Sequence, residues 1–192
     1  GLLSNYAVTY ADGTLNVTQR PITLALDAQS RVYGDANPAT GTYIVGGSGL
    51  VNTDALDAAL PVTSPATSTS NVGSYALEHG TVVFTSGSAS NYAISYVDST
   101  LAVTPRPITI TPATQSRTYG DANPTSGGFT VGGSGLAGTD TLTSTVSVSS
   151  PATATSNVGD YALSSGLVGF TSGTATNYAV TYADGTLTVT PA

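Results

Sequence analysis

The sequence contains no cysteine, methionine or tryptophan, and its four basic residues are all arginines, so lysine is absent as well. Without cysteine the chain can form neither disulfide bonds nor thiolate metal sites. Without lysine it cannot form the lysine–asparagine isopeptide cross-links that some surface stalk domains use. These absences exclude cross-linked domains of both kinds and sites that need a cysteine ligand or nucleophile.

Charge is scarce too: 8% of the residues are charged, against about 25% in an ordinary soluble domain. Four arginines against 11 acidic residues give a net charge of −7. Binding to nucleic acid needs clustered basic side chains that displace counterions, so nucleic acid is excluded as a partner. The apolar runs are far shorter than the roughly 20 residues that span a bilayer, so no membrane insertion is expected.

What the sequence does have is an internal repeat of 86 residues. Residues 20–105 align with residues 106–191 without a gap, and 53 of the 86 aligned pairs are identical. This period exceeds the 20–50 residues of solenoid repeats, so each unit is predicted to fold as a small independent domain.

The first residues follow the same register, because residues 4–19 match residues 90–105. The sequence therefore predicts a C-terminal hairpin of a truncated preceding repeat over 1–19, one repeat domain over 20–105 and a second over 106–192. We expect the chain to be a window from a longer array.

Alternating large and small residues predict short strands throughout each unit. The closing segment is the clearest, since residues 178–182 and 186–190 both alternate on either side of Asp184 and Gly185. Two alternating runs around Asp-Gly are typical of a β-hairpin. With six or seven such strands in each unit, the predicted fold class is all-β, a tandem of two small, elongated antiparallel domains.

One segment of the first unit is ambiguous. Residues 53–60 could form a short capped helix, but the corresponding segment of the second copy, residues 139–148, is rich in β-branched residues and alternates. Both copies must adopt one fold, so a strand or irregular structure is favoured.

The most distinctive motif is Tyr-Gly-Asp-Ala-Asn-Pro at residues 33–38, repeated at residues 119–124. It is interpreted as a tight turn, with Gly34 at positive φ, Asp35 and Asn37 bonded to nearby backbone and Tyr33 packed below. A calcium site stays an alternative because three acidic positions recur in both units. However, calcium prefers six to eight oxygen ligands, and these positions are far apart in sequence. They are Asp35, Asp54 and Asp98, with Asp121, Asp140 and Asp184.

The sequence contains few residues of the types that act in catalysis. His79 is the only histidine and Glu78 the only glutamate, and both are serines in the second unit. His79 is interpreted as an exposed turn residue. We predict no enzyme activity, no catalytic or metal-ligating residue and no cofactor.

The joints between units are short and contain proline, as in Pro105-Arg106-Pro107. Proline restricts its own backbone and that of its neighbour, so limited bending between units is expected. Similar neighbouring domains also carry a risk of mispairing, so exchange of strands between units across Pro105 is a further expectation.

The motifs YGDANP, GGSGL, SNVGxYAL and SNYAxxYxDGTLxVTPRPITI together resemble the MBG-type repeats of large bacterial surface adhesins and filamentous-haemagglutinin-like exoproteins. The resemblance covers essentially the whole chain. It implies a secreted, cell-surface protein with a role in biofilm formation, aggregation or attachment. The family name also implies a β-grasp-like sheet, but the residues show no convincing helix, so a small Ig-like sandwich stays open.

The leading functional hypothesis is a structural stalk that projects a distal binding region, with neighbouring repeats of the same chain as partners and a monomeric state. The alternative is that the repeats themselves bind glycans, either mucin or matrix polysaccharide. The direction of four tyrosines separates the two: buried side chains favour the stalk, and an exposed groove favours binding. They are Tyr33, Tyr75, Tyr92 and Tyr96.

Overall fold

The fold is known from a computed structural model that describes residues 1–192. It contains no α-helix; its helical elements are three short 3-10 turns, Leu3–Asn5 (η1), Ala89–Asn91 (η2) and Ala175–Asn177 (η3). The all-β prediction is therefore confirmed. No helix reaches the length and apolar character needed to cross a bilayer.

Ten strands form each unit, and equivalent strands lie 86 residues apart. In the first unit they are β1 (Arg20–Leu26), β2 (Gln29–Val32), β3 (Thr40–Gly41), β4 (Tyr43–Gly47), β5 (Ala55–Leu56), β6 (Leu60–Thr63), β7 (Gly73–His79), β8 (Phe84–Ser86), β9 (Tyr92–Val97) and β10 (Ser99–Thr104). In the second they are β11 (Arg106–Pro112), β12 (Gln115–Thr118), β13 (Ser126–Gly127), β14 (Phe129–Gly133), β15 (Thr141–Leu142), β16 (Val146–Ser149), β17 (Gly159–Ser165), β18 (Phe170–Ser172), β19 (Tyr178–Tyr182) and β20 (Gly185–Thr190).

Each unit contains a three-stranded, a five-stranded and a two-stranded sheet. In the first unit the orders are β4-β1-β9, β2-β10-β7-β6-β3 and β5-β8, and the second unit repeats them. Most neighbours are antiparallel as predicted, but β9 runs parallel to β1 and β10 runs parallel to β2. The domains are therefore mainly antiparallel, and these two parallel pairs are what the sequence did not predict.

The predicted closing hairpin is also wrong. β19 pairs with β11, whereas β20 pairs with β12 and β17, so the two alternating segments lie in different sheets. A tight hairpin of the favoured type needs positive φ at both turn residues. Neither Asp184 nor Gly185 has it, and the chain instead passes from one sheet to the other at this point.

The core lies between the sheets and depends on the alternation of β1. Ile22, Leu24 and Leu26 are buried on one face of that strand. Leu26 packs with Leu77 and Leu101 of the five-stranded sheet, while Ile22 and Leu24 pack in the cluster that includes the half-buried Phe84 of β8. Two sheets therefore cover each other with no helix between them, which is closer to the sandwich alternative than to a helix-backed sheet.

The ambiguous segment over residues 53–60 forms no helix. It contains β5 and the first residue of β6, with a loop between them. The preference for strand or irregular structure is confirmed, since the β-branched second copy adopts the same elements.

Residues 1–19 form η1 and no strand, so the hairpin expected there is absent. The apolar side chains of this segment are exposed, and Tyr10, Leu15 and Val17 have about 90% of their surface accessible to solvent. In the complete units, the matching strands pair with the first strands of their own unit, and nothing in the structure offers this segment such partners.

Every strand pairs within its own unit. β10 pairs with β2 and β7, and β11 pairs with β14 and β19 across no unit boundary. The expectation that strands are exchanged across Pro105 is therefore wrong.

A buried arginine organises the end of each five-stranded sheet. Arg31 is only 7% exposed. Its Nε donates to Asn37 Oδ1 at 2.7 Å, and its other nitrogens donate to the carbonyls of Val32 and Thr67. Asn37 in turn donates to the Ala66 carbonyl at 2.6 Å. Arg117 makes the equivalent contacts with Asn123, Thr118 and Thr153 in the second unit.

The substitution Arg31→Met is expected to lower the free energy of unfolding of the first unit by about 3 kcal/mol, because buried acceptors lose their donor. Urea unfolding checks this. Arg117→Met should have the same effect on the second unit. The control Arg20→Met affects an exposed arginine and should cost much less, and equal costs at Arg20 and Arg31 would contradict the role assigned to Arg31.

Candidate functional site

The side-chain hydrogen bonds between the two units lie at the joint that connects them. β10 ends at Thr104 and β11 begins at Arg106, so Pro105 alone connects the two units. The amide of Tyr33 donates to the Thr104 carbonyl at 2.9 Å, which places the turn after β2 beside the end of the first unit. Arg106 lies opposite Tyr178 in the parallel register, which places the segment before β19 beside the start of the second unit.

An apolar cluster crosses this joint. Tyr33 and Val103 of the first unit share one cluster of buried residues with Ile108, Ala137 and Tyr178 of the second. The rings of Tyr33 and Tyr178 meet edge to face, with centroids 5.6 Å apart. Edge-to-face contact is a favoured arrangement of aromatic pairs. The two units are therefore packed against each other, and the prediction of limited bending gains a physical basis.

One carboxylate accepts hydrogen bonds from both units. The hydroxyl of Tyr178 donates to Asp140 Oδ2 at 2.6 Å, and the hydroxyl of Tyr33 donates to the same oxygen at 3.1 Å. The backbone amide of Ala137 donates to the Tyr178 hydroxyl at 3.0 Å. Asp140 thus fixes the position of Tyr33 relative to the second unit.

Burial and the hydrogen bonds to Asp140 favour the neutral form of both tyrosines. Burial first, and then Asp140, raises the pKa of Tyr178 to about 12. The same two causes, in the same order, raise the pKa of Tyr33. Ionisation of either hydroxyl would place a phenolate beside a carboxylate, which explains the direction of both shifts.

Arg106 forms a second set of contacts across the joint. Its Nη1 donates to the Tyr33 carbonyl at 3.1 Å and to Asp35 Oδ1 at 2.9 Å. Its Nε and Nη2 donate to the carbonyls of Gly135 and Ser134 at 2.9 and 2.7 Å. One guanidinium therefore links the Tyr-Gly-Asp turn of the first unit to the glycine-rich segment of the second, using the fork of donors that only arginine offers.

An asparagine pair forms a third contact. Asn177 Nδ2 donates to Asn71 Oδ1 at 2.9 Å, and its Oδ1 accepts from the amide of Val72 at 2.9 Å. Asn177 is 1% exposed. A carboxamide buried to this extent is costly unless its groups are paired, so this contact favours a single relative position of the units.

The joint also requires a glycine. Gly34 has φ of 90°, and a Cβ added there would lie 2.5 Å from the Cβ of Ala137. Gly120 has nearly the same φ, 95°, but a Cβ there would meet nothing within 4 Å. Position 34 therefore needs glycine both for its backbone and for the close approach of the second unit, whereas position 120 needs it for the backbone alone.

The contact residues form two faces, and each occurs twice in the chain. The exit face of the first unit consists of Tyr33, Gly34, Asp35, Asn71 and Val72, repeated in the second unit as Tyr119, Gly120, Asp121, Asn157 and Val158. The start face of the second unit consists of Arg106, Ala137, Asp140, Asn177 and Tyr178, repeated in the first unit as Arg20, Val51, Asp54, Asn91 and Tyr92.

Exposure differs where a neighbour is present. Tyr33 is 5% exposed at the joint, and Tyr119 is 44% exposed on the exit face that faces solvent. Asn177 is buried and Asn91 is exposed. The neighbouring unit therefore accounts for the burial of Tyr33 and Asn177 at the joint, whereas their counterparts Tyr119 and Asn91 are exposed.

Between the faces lies a small cleft of about 240 Å³. Its walls include Ser68, Thr69 and Gly34 of the first unit and Thr139 and Asp140 of the second. Sites for small molecules usually occupy about 300–1,000 Å³ and are mostly apolar. The cleft is smaller and more polar than such a site, so it is described better as the edge of a packed joint.

The turn interpretation of residues 33–38 is only partly right. Gly34 has the expected positive φ and Tyr33 is buried. However, Asp35 contacts Arg106 across the joint rather than nearby backbone, and Asn37 binds Arg31 as well as a backbone carbonyl. Sequence reasoning missed the role of this motif at the joint, because its partners lie more than 70 residues away.

The acidic residues weighed as calcium ligands do not converge. Asp35 pairs with Arg106, and Asp54 accepts from the Tyr92 hydroxyl at 2.6 Å. Asp98 accepts from His79. The structure contains no cluster of three or more acidic or histidine side chains that could hold a metal ion.

His79 is not the exposed turn residue that was expected. It ends β7, stacks on Tyr96 with ring centroids 4.1 Å apart, and contacts Asp98 Oδ1 through Nδ1 at 2.6 Å. Hydrogen bonds from the side chain and backbone of His79 lower the pKa of Asp98. In the second unit the hydroxyl of Ser164 donates to Asp184, so the two units hold this aspartate by different donors.

The four tyrosines proposed to separate stalk from binding module do not line an open groove. Tyr33 and Tyr92 are buried, and Tyr75 and Tyr96 are half-buried. Their hydroxyls bind Asp140, Asp54, the Asn71 carbonyl and the Val82 amide within the protein.

Comparison with known proteins identifies the repeats. The family model for the MBG domain (YGX type) matches residues 22–102 and 108–188. MBG repeats are non-catalytic, adhesin-type domains that occur in surface-associated proteins. No curated protein and no solved structure matches the chain.

The substitution Gly34→Ala is expected to open the joint, because the new methyl group would clash with Ala137. Spin labels on Ser30→Cys and Ser116→Cys, two exposed positions in a chain without other cysteines, would measure the distance between units. We expect a narrow distance distribution that Gly34→Ala broadens. The control Gly120→Ala has the same backbone strain of roughly 1 kcal/mol and should leave it narrow. Broadening by both variants would contradict the assignment.

Alkaline pH is expected to open the joint before the units unfold. Tyr33 reaches across the joint and has a raised pKa, so its contribution to the joint is complete below the ordinary tyrosine pKa of about 10 and is lost as pH rises through its raised pKa. The same spin-label pair, followed against pH beside circular dichroism, tests this. The variant Tyr33→Phe lacks an ionisable hydroxyl at the joint, so its distribution of distances between the labels should stay narrow to a higher pH than that of the control Tyr119→Phe. A distribution that stays narrow until the strands melt would be the contrary result.

Proposed function

The chain belongs to the MBG domain (YGX type) family, and we propose that its two units form a stalk segment of a secreted bacterial cell-surface adhesin. In this role the units project a distal binding region for adhesion or biofilm formation. The segment has a mechanical function and no catalytic one. Its working parts are the two cores and the joint between them.

The joint is the observation that carries this proposal. A stalk needs units whose relative position is restricted, and flexible tethers do not restrict it. Here one residue links the units, and three sets of contacts surround it: the Tyr33–Asp140–Tyr178 hydrogen bonds, the Arg106 contacts and the Asn71–Asn177 pair. Because all three sets cross the joint, separating the two faces would break them.

The arginines support an exposed, protease-rich setting. Arg20 and Arg106 precede proline, where trypsin-like enzymes cut poorly, and Arg31 and Arg117 are buried at 7% exposure. With no lysine, a folded unit therefore presents few sites to such enzymes. The absence of cysteine and methionine also leaves few side chains to oxidise.

Glycan binding by the repeats themselves is less well supported. A glycan site would need aromatic faces open to solvent, and the four tyrosines in question are buried or half-buried with their hydroxyls paired inside the protein. The proposal therefore assigns ligand binding to a region outside these two units.

Small-angle scattering with and without calcium tests the stalk proposal. We expect one profile under both conditions, with an extension of about 30–45 Å for each unit, because a compact domain of this size has a radius of gyration near 12 Å. Gly34→Ala should give the profile of two units in many relative positions, and Gly120→Ala should match the wild type. A compact particle, or one that lengthens only when calcium is added, would contradict a stalk built on the joint.

A further inference from the structure

In the first unit an imidazole ring covers a tyrosine at the waist of the domain, where the chain passes from the three-stranded to the five-stranded sheet. The ring of His79 stacks on the ring of Tyr96, with centroids 4.1 Å apart and an angle of 11° between the planes. Its Nδ1 contacts Asp98 Oδ1 at 2.6 Å, and Asp98 lies between β9 and β10 at that crossing. The first unit thus shows which group this place accommodates: a planar ring whose nitrogen faces a carboxylate.

The second unit keeps the tyrosine and the aspartate but lacks the imidazole. Tyr182 and Asp184 recur there, and Ser165 stands in place of His79. The Ser165 hydroxyl is buried and makes no hydrogen bond, so it replaces neither contact of the imidazole. Tyr182 is 41% exposed, and Asp184 accepts from Ser164 through Oδ1 while its Oδ2 makes no hydrogen bond. An aromatic ring and a carboxylate oxygen are therefore open at this place in the second unit alone.

An exposed leucine adds apolar surface beside the open ring. Leu167 stands in place of Thr81 and is 86% exposed. The amide of the next residue, Val168, donates to the Tyr182 hydroxyl at 3.2 Å, which fixes this segment next to the tyrosine. A side chain that reaches the ring from solvent can pack its alkyl stem on such a leucine.

We propose that this place, the Tyr182 subsite formed by Tyr182, Asp184 and Leu167, binds an arginine side chain of a partner protein. A guanidinium is planar and always charged, stacks on aromatic faces and donates to carboxylates through a rigid fork of N–H groups. These are the same two kinds of contact that the imidazole makes in the first unit. The net charge of −7 also favours a basic partner over an acidic one.

A neighbouring repeat would leave this subsite open. β19 begins beside Arg106 on the start face, and β20 ends beside Tyr119 on the exit face. Tyr182 and Asp184 lie at the opposite ends of these two strands, between the faces. In the first unit, which has a neighbour at its exit face, the equivalent place is filled by His79 of the same unit. The inference goes beyond the stalk role, because it gives the side of the second unit a protein partner in addition to any adhesion ligand held elsewhere.

NMR titration of the full chain with two blocked tripeptides tests the proposal. One peptide has arginine between two glycines and the other has lysine, so both carry one positive charge and only the first has a planar one. The ring signals of Tyr182 should shift with the arginine peptide, with a dissociation constant on the order of 10 mM because so few atoms make contact. The lysine peptide should bind about fivefold more weakly. The signals of Tyr96 should stay in place, because His79 covers that ring.

Exchanging the residues at positions 79 and 165 should move the subsite from one unit to the other. Ser165→His should cover Tyr182 and abolish its shifts. His79→Ser should uncover Tyr96, whose signals should then shift with the arginine peptide. Each substitution introduces the residue that the other unit already has at that position, so both units should fold, and circular dichroism checks this.

Four results would overturn the proposal. They are Tyr182 signals that stay in place up to about ten times the expected dissociation constant, equal binding of the two peptides, shifts that Ser165→His leaves unchanged, and Tyr96 signals that stay in place in His79→Ser. Equal binding would indicate attraction of any cation to an acidic chain. The spin-label distance between the units is independent of all four results, so the stalk proposal stands or fails separately.

Discussion

The parallel pairing of the last two strands of each unit with its first two strands is the constraint on which the joint depends. Because β10 runs parallel to β2, both strands end on the same side, and the Tyr33 turn lies beside Thr104. Because β19 runs parallel to β11, both strands begin on the same side, and Asn177 lies beside Arg106. The motifs of two units therefore meet around Pro105 although they are distant in sequence.

This arrangement gives one motif two roles. Within a unit, Asn37 pairs with the buried Arg31 and stabilises the turn after β2. Between units, Tyr33 and Asp35 of the same turn bind Asp140 and Arg106. The first role requires the motif in every unit, and the second role uses it only where another unit follows. A turn that must form for the unit to fold is thereby a preformed surface for the neighbour, which lowers the entropy cost of docking.

The period, the all-β class and the longer strands could be predicted from the sequence, because they depend on local alternation and on self-similarity. The true partners of the two closing strands could not be predicted, since alternation indicates a strand but not the strand that it pairs with. Asp184-Gly185 also favours a hairpin turn that the folded unit does not contain. The joint was missed for a related reason. Asn71 and Asn177 carry no catalytic or metal-binding pattern, and only the fold brings them together. Their recurrence in both copies was the available signal.

The joint also couples the stability of the units. In a one-dimensional array, stability is a sum of the units' own terms and of terms for each interface between neighbours. Each hydrogen bond across the joint contributes only about 0.5–1.5 kcal/mol, but the set of Tyr33, Arg106 and Asn177 contacts forms together once Pro105 holds the faces close. A unit with a neighbour on both sides gains two such sets and a unit at an end gains one. The resistance of such an array to unfolding should therefore be lowest at its ends, where an exit face or a start face has no partner.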